Sequence, residues 1–256
     1  MLLVFNLLML VFMLAPLAMV VWMSFTPAEL LVVPFGDFSL RWYRAAFDYP
    51  GFVQAFVLSV QTALVSGGLA TLLSFLAAYA LVRGRDFPGR DAVNGLFLSP
   101  LIIPAVVFGI AMLQFINAMG LYNTFASLVL AHVVVITPFA IRTLQAALRA
   151  VPIEVEWAAM NLGASRASVL WRIVLPVCSR GILAAFLLAF LMSFSEVTVT
   201  IFMTGPAYQT LPVRIYNYLT DQVDPTVAAV SAMLIGLSLA LVLLLDRLGG
   251  LVDVKK

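Results

Sequence analysis

The sequence predicts an all-α integral membrane protein of about six transmembrane helices, with N and C termini cytoplasmic and a cytoplasmic helical knob between helices four and five. Three observations carry that expectation: an apolar composition, six long apolar runs, and basic residues gathered on alternate connections. Of 256 residues, 64% are hydrophobic and 10% charged, whereas a soluble domain carries roughly 25% charged residues. Lipid offers no partner to backbone polar groups, so a spanning chain must be helical or a closed barrel, and a spanning helix needs about 20 apolar residues in succession. Long runs of that kind cover residues 3–25, 56–82, 93–119, 124–141, 182–203 and 227–245. Barrel strands would instead alternate polar and apolar residues in short segments.

The first run lacks a basic start and a clear small-residue cleavage site and is too long for a secretory signal, so it is expected to be a retained helix. The loop that follows, residues 26–50, carries Trp42, Tyr43 and Tyr49 among few charges, the composition of an interfacial segment with an aromatic belt. On the second run Ser66, Ala70, Ser74 and Ala78 recur every fourth position, and on the sixth Ala232, Gly236 and Ala240 do the same. Such stripes let helices approach closely in lipid. Pro100 and Pro104 on the third run and Pro138 on the fourth are expected to kink or break their helices.

Basic residues set the orientation, since positively charged connections stay cytoplasmic. Arg83, Arg85 and Arg90 follow run two; Arg142, Arg149, Arg166, Arg172 and Arg180 lie between runs four and five; Arg247, Lys255 and Lys256 follow run six. Eleven of the 14 basic residues thus fall on one side, leaving Arg41, Arg44 and Arg214 on the other. The single cysteine, Cys178, excludes an intrachain disulfide and a cysteine-based metal cluster.

Residues 151–176 are too charged to cross a membrane and are expected at the cytoplasmic face. Pro152 suits a helix start, Glu154 and Glu156 suit its first turn, and Gly163 suits the residue just past its end, which gives a helix of about ten residues. A second short helix is expected to run to Leu175 and stop at Pro176. A knob of this kind fits a groove on a soluble partner; the alternative is an amphipathic helix lying on the lipid surface.

The run Ala158-Ala159-Met-Asn-Leu-Gly163-Ala164, followed by Ile173-Val-Leu175-Pro176, closely resembles the EAA loop of bacterial ABC-importer permeases. The family usually places glutamate directly before the paired alanines, where Trp157 stands here and Glu156 precedes it. The likeness extends from Ser39-Leu-Arg-Trp-Tyr43 through Thr204-Gly-Pro206, Thr210-Leu-Pro-Val-Arg-Ile215 and Asp224-Pro-Thr-Val-Ala-Ala229, and is nearest to the spermidine/putrescine permease branch. It implies the type I importer permease fold, a single transmembrane domain over residues 1–256, and a place in the bacterial cytoplasmic (inner) membrane. It also implies that Glu156, Trp157, Ala158, Ala159, Gly163, Ala164, Leu175 and Pro176 form the coupling helix and its surroundings, which dock on an ATPase. The implied partners are two ATPase subunits, a second permease chain, the lipid bilayer and an extracytoplasmic substrate-binding protein, with no nucleic acid. No cofactor is expected on this chain, because it lacks a Gly-x-x-x-x-Gly-Lys-Ser/Thr phosphate loop; ATP and Mg belong to the partner ATPase, and the chain itself is not expected to be an enzyme.

Glu196 lies inside the fifth run, where a charge costs at least ~2.5 kcal/mol and faces a cavity or a partner. At helical spacing Ser193, Glu196 and Thr200 share one face, which makes them the candidate translocation-pathway residues. The competing reading is a structural glutamate, held protonated or paired with a neighbouring helix near His132. A lone histidine in an apolar run is itself expected to be a packed, hydrogen-bonded residue. Where the polyamine branch typically carries two adjacent acidic residues, Ser195 and Glu196 stand here, so one acidic position is kept and an amine-bearing solute suits the site.

A proton-coupled secondary transporter or channel acting without an ATPase is the alternative function. Against it stand the short length and a knob that no proton-driven mechanism requires. A membrane-embedded enzyme would need a nucleophile with a base and an orienting group, which one histidine and scattered hydroxyls do not supply.

Overall fold

The computed structural model describes residues 2–249 apart from 35, 85, 206 and 223, and of residues 245, 246, 248 and 249 only the backbone. Arg85, Pro206, Lys255 and Lys256, which entered the reading above, lie outside the described residues. Helices account for nearly all of the described structure, in the order α1 (Leu2–Met23), α2 (Arg41–Asp48), α3 (Pro50–Arg83), α4 (Arg90–Leu98), α5 (Ala105–Ala118), α6 (Phe125–Arg149), α7 (Ile153–Asn161), α8 (Arg166–Val169), α9 (Leu175–Phe194), α10 (Thr200–Met203), α11 (Leu211–Asp221) and α12 (Thr226–Gly249). Among the described residues, five stretches are long and apolar enough to cross a membrane unaided: Leu2–Met23, Pro50–Arg83, Phe125–Arg149, Arg166–Phe194 and Thr226–Leu244. Counting Arg90–Leu101 and Ala105–Ala118, bent by 101°, as one broken span brings the number to six. Pro104 sits at the start of α5 with φ −54° and ψ 128°; its ring nitrogen has no hydrogen to donate, and its non-helical ψ turns the chain at the expected place. Pro138, by contrast, lies inside α6 without ending it.

The chain divides into two compact units, Met1–Val57 with Thr210–Leu243 and Leu58–Gln209 with Leu244–Lys256. In the first, Ala46, Phe52, Ala55, Leu211 and Val230 form a small core, and Tyr49, Phe52 and Tyr218 cluster ring against ring at 5.1–5.6 Å. Trp42 of the aromatic loop is buried, and Tyr43 shares a 2.7 Å hydrogen bond with Ser24.

The second unit holds the larger core. Its axis is α6, which begins on a capping box: Thr124 accepts the Ser127 amide at 3.1 Å, and the Thr124 amide reaches the Ser127 hydroxyl at 3.3 Å. Ile141, Leu144 and Leu148 of α6 are fully buried against Phe75, Ala78 and Leu81 of α3 and Val174, Cys178 and Ala185 at the start of the long helix beyond. Gly181 allows α9 to lie on α6, since a Cβ there would overlap the Ala147 methyl. The stripe Ser66, Ala70, Ser74 and Ala78 is fully buried, in line with close packing in lipid. The stripe on α12 differs: Gly236 and Ala240 are exposed, and a Cβ on Gly236 would meet nothing.

Candidate functional site

Two places in the second unit gather the residues singled out by the sequence. One is the knob between α6 and α9. Pro152 precedes α7, Glu154 and Glu156 occupy its first turn, and Gly163 ends it with φ +90°. The Ala164 amide bonds to the Ala159 carbonyl and the Gly163 amide to the Met160 carbonyl, each at 3.0 Å. Those two bonds make a Schellman cap, whose left-handed residue takes glycine at no steric cost. Ser165 then caps α8 by accepting the Ser168 amide at 3.2 Å.

Beyond α8 the structure corrects the expected stop at Pro176. Residues 170–174 form one π-helical turn in which the Leu175 amide reaches back to the Leu170 carbonyl, and Pro176 falls in the first turn of α9. A proline inside a continuous helix removes a ladder donor and crowds the preceding turn. The widened turn before it lets the helix continue, so Arg166–Phe194 runs as one long element.

The residues of the knob divide by side. Ala159, Ala164 and Leu175 pack on the core, Glu156 is buried, and Ala158, Gly163 and Pro176 are exposed. Trp157 is 54% and Leu162 91% exposed. Leu162 escaped the sequence reading; its only signal is an apolar residue directly before a helix-ending glycine. Glu156 faces Arg83, with Oε1 2.7 Å from Nε. Neither atom makes an aligned hydrogen bond, so charge holds the contact.

The second place is a break in the fifth span. The helix expected through 182–203 ends at Phe194, and α10 resumes at Thr200. Ser193, Glu196 and Thr200 therefore do not lie along one helical face. Ser193 and Thr200 are buried and bound to the same imidazole: His132 Nδ1 lies 2.7 Å from Ser193 Oγ and Nε2 2.9 Å from Thr200 Oγ1. Ser66 donates to the Thr62 carbonyl at 2.5 Å and shares a 2.9 Å bond with Ser193. Since the Ser66 proton is committed to Thr62, Ser193 donates to Ser66 and accepts from His132, which assigns the proton of a neutral ring to Nδ1. Nε2 then accepts from Thr200, whose single proton is contested by the Glu196 carbonyl at 3.0 Å.

Glu196 stands apart from the imidazole. Its Oε1 accepts the Val199 amide at 2.8 Å, stabilising the turn that leads into α10. The residue is partly buried in the wall of a cavity of about 570 Å³ that is lined also by Pro100, Leu101, Ile102, Ile103 and Pro104, where the α4–α5 span is broken, and by Val135, Phe139 and Met192. Glu196 is the one ionisable residue in that described lining, so a single carboxylate faces an otherwise mostly apolar cavity. Two broken helices meeting at a cavity is the arrangement in which irregular backbone is tolerated at membrane depth.

Residues 70–255 match the family described as the binding-protein-dependent transport system inner membrane component. The chain belongs to that family. Spermidine/putrescine transport system permease protein PotC of Haemophilus influenzae is 35% identical over 207 residues, covering 81% of this chain and 80% of its own length. Putrescine transport system permease protein PotI of Escherichia coli K12 is 30% identical over 231 residues, covering 88% and 82%. Among solved structures, a bacterial alginate ABC transporter in complex with an alginate-pentasaccharide-bound periplasmic protein superposes with a TM-score of 0.71 at 16% identity, covering 96% of this chain and 91% of that one. The MetNI methionine ABC transporter, in an inward-facing conformation, gives 0.65 at 19% identity, covering 77% and 94%. The protein is thus an ABC-importer permease subunit with the type I fold.

Proposed function

We propose that this permease forms half of an ATP-driven import pathway for a polyamine or a related amine, paired with a second permease chain above two ATPase subunits. An extracytoplasmic binding protein would deliver the solute, and ATP and Mg would act in the ATPases alone. The basic residues on the connections after spans two, four and six support placing the knob and both termini in the cytoplasm of a bacterial inner membrane. Polyamine specificity draws support from the PotC and PotI relatives and from the cavity, whose one carboxylate and apolar walls suit an ammonium on a methylene chain.

The observation that carries the reading is the knob. A left-handed glycine and a double hydrogen-bonded cap hold Trp157, Ala158 and Leu162 outward on a short helix bound to two spans. An exposed aromatic and an exposed leucine on a rigid helix are the anchors that a groove on a soluble partner takes up. Purification of the permease in mild detergent is expected to bring ATPase subunits in fixed ratio. Gly163→Val forces a branched side chain into a left-handed conformation, and it is expected to lose most of that ATPase while the permease still inserts. Full ATPase recovery with the valine variant would remove the knob from the docking surface.

A further inference from the structure

Arg83 has no part in the family motif, yet it ties the knob to a span that the chain does not connect it to. It is the last residue of α3, and its guanidinium reaches α6, α7 and the connection between them. Nε lies against the Glu156 carboxylate of α7, while Nη2 donates to the Leu148 carbonyl at 2.8 Å and the Val151 carbonyl at 2.6 Å. Both side chains of the pair are at least nine-tenths buried. Tyr79, one turn back on α3, adds a long 3.4 Å hydrogen bond to the other Glu156 oxygen.

We infer that Arg83 and Glu156 act as a transmission latch, which makes α3 follow the knob when the ATPase moves it. The inference rests on the docking role proposed for the knob, and it changes the part played by Glu156. Trp157, next in sequence, points outward, whereas Glu156 points inward and is closed to an ATPase by its burial. A buried ion pair on a short helix resists separation, because parting it would leave two charges without compensation. Covalent connection already joins the knob to α6 and α9; the latch adds α3. Farther along α3, Ser66 bonds Ser193 beside the break that carries Glu196. Displacement of the knob is therefore relayed to the cavity wall along α3 as well as along α9. Arg83 and Glu156 are positioning residues in this scheme and touch neither ATP nor solute.

The test uses the complete complex in lipid nanodiscs, with spin labels on cysteines placed at Leu73 of α3 and Val107 of α5, both exposed, and the native cysteine replaced as Cys178→Ser. The label distance is measured without nucleotide and after trapping with Mg-ATP and vanadate. In the otherwise unmodified permease the distance is expected to shift on trapping. In Arg83→Met/Glu156→Leu, which replaces the pair by apolar side chains that cores generally tolerate, the shift is expected to be lost although the ATPase still copurifies. Glu156→Gln, which keeps shape and the Tyr79 partner, is expected to show a reduced shift, and Arg83→Lys on its own to retain part of it. An equal shift in the double variant would overturn the latch, as would a trapped complex whose α3 label never moves. Loss of the ATPase from Glu156→Gln would also overturn it, by returning Glu156 to the docking surface. Failure of the unmodified permease to retain any ATPase would instead refute the docking role itself.

Discussion

His132 grips both sides of the break in the fifth span, with Ser193 before it and Thr200 after it, each within 2.9 Å of a ring nitrogen. Removing the ring takes one hydrogen bond each from the buried Ser193 and Thr200 hydroxyls, which keep Ser66 and the Glu196 carbonyl, and leaves a hole where an imidazole stood, so His132→Ala is expected to lower stability by about 2 kcal/mol. A lowered thermal midpoint of the purified complex would show it, and an unchanged midpoint would mean that the break is held by other contacts. Glu196 makes the complementary prediction. Glu196→Gln keeps the bond to the Val199 amide but removes the charge from the cavity, and is expected to slow uptake of a cationic solute by at least about tenfold, with a neutral solute unaffected. Equal uptake of a diamine by the glutamine variant would leave the carboxylate a structural capping group. At this scale the sequence exposed the ionisable residue but not its neighbours. Ser195-Glu196-Val197-Thr198-Val199 contains neither proline nor glycine, so nothing local announces the interruption. The break is bridged by tertiary hydrogen bonds to a histidine on another helix, and such bonds leave no periodic trace.

Among the elements, the knob was the most legible, because its punctuation is local. Pro152, the two first-turn glutamates and Gly163 act within one short helix, and each sits where capping chemistry requires. Trp157 and Leu162 stand out from it. Trp157→Ala is expected to weaken ATPase association by about 2 kcal/mol, near 30-fold, as loss of an aromatic anchor does; titration of solubilised permease with purified ATPase would reveal it, and unchanged affinity would move the contact elsewhere. Pro176 misled for a physical reason: a proline ends a helix only where its missing donor and ring have no accommodation, and a π turn over residues 170–174 supplies it. Arg83 and Glu156 could not be paired from the sequence, since they lie on elements far apart in the chain and their types are common at helix ends.

For the whole molecule, length and hydropathy settle the main lines, because lipid permits so few ways to satisfy a backbone. Most spans overlap the apolar runs, with the third broken beside Pro104, whereas the fifth runs from Arg166 to Phe194 instead of over 182–203 and breaks before Thr200. Several spanning helices outrun their apolar stretches: α6 carries Arg142 and Arg149 and extends to the knob, and α3 begins at Pro50. Hydropathy marks the lipid-facing length, whereas helix length follows packing and caps. Under the proposed function, a permease chain with one carboxylate in the described lining of its cavity and an outward knob is half of a machine whose energy arrives through that knob. The measurement that bears most directly on this claim is ATP hydrolysis by the complex, purified from native membranes and reconstituted with its binding protein, across polyamines, amino acids and other small amines. Hydrolysis stimulated by spermidine or putrescine is the predicted result. Stimulation by a different amine would keep the importer and reject the polyamine, and a permease that transports with no associated ATPase would contradict the account.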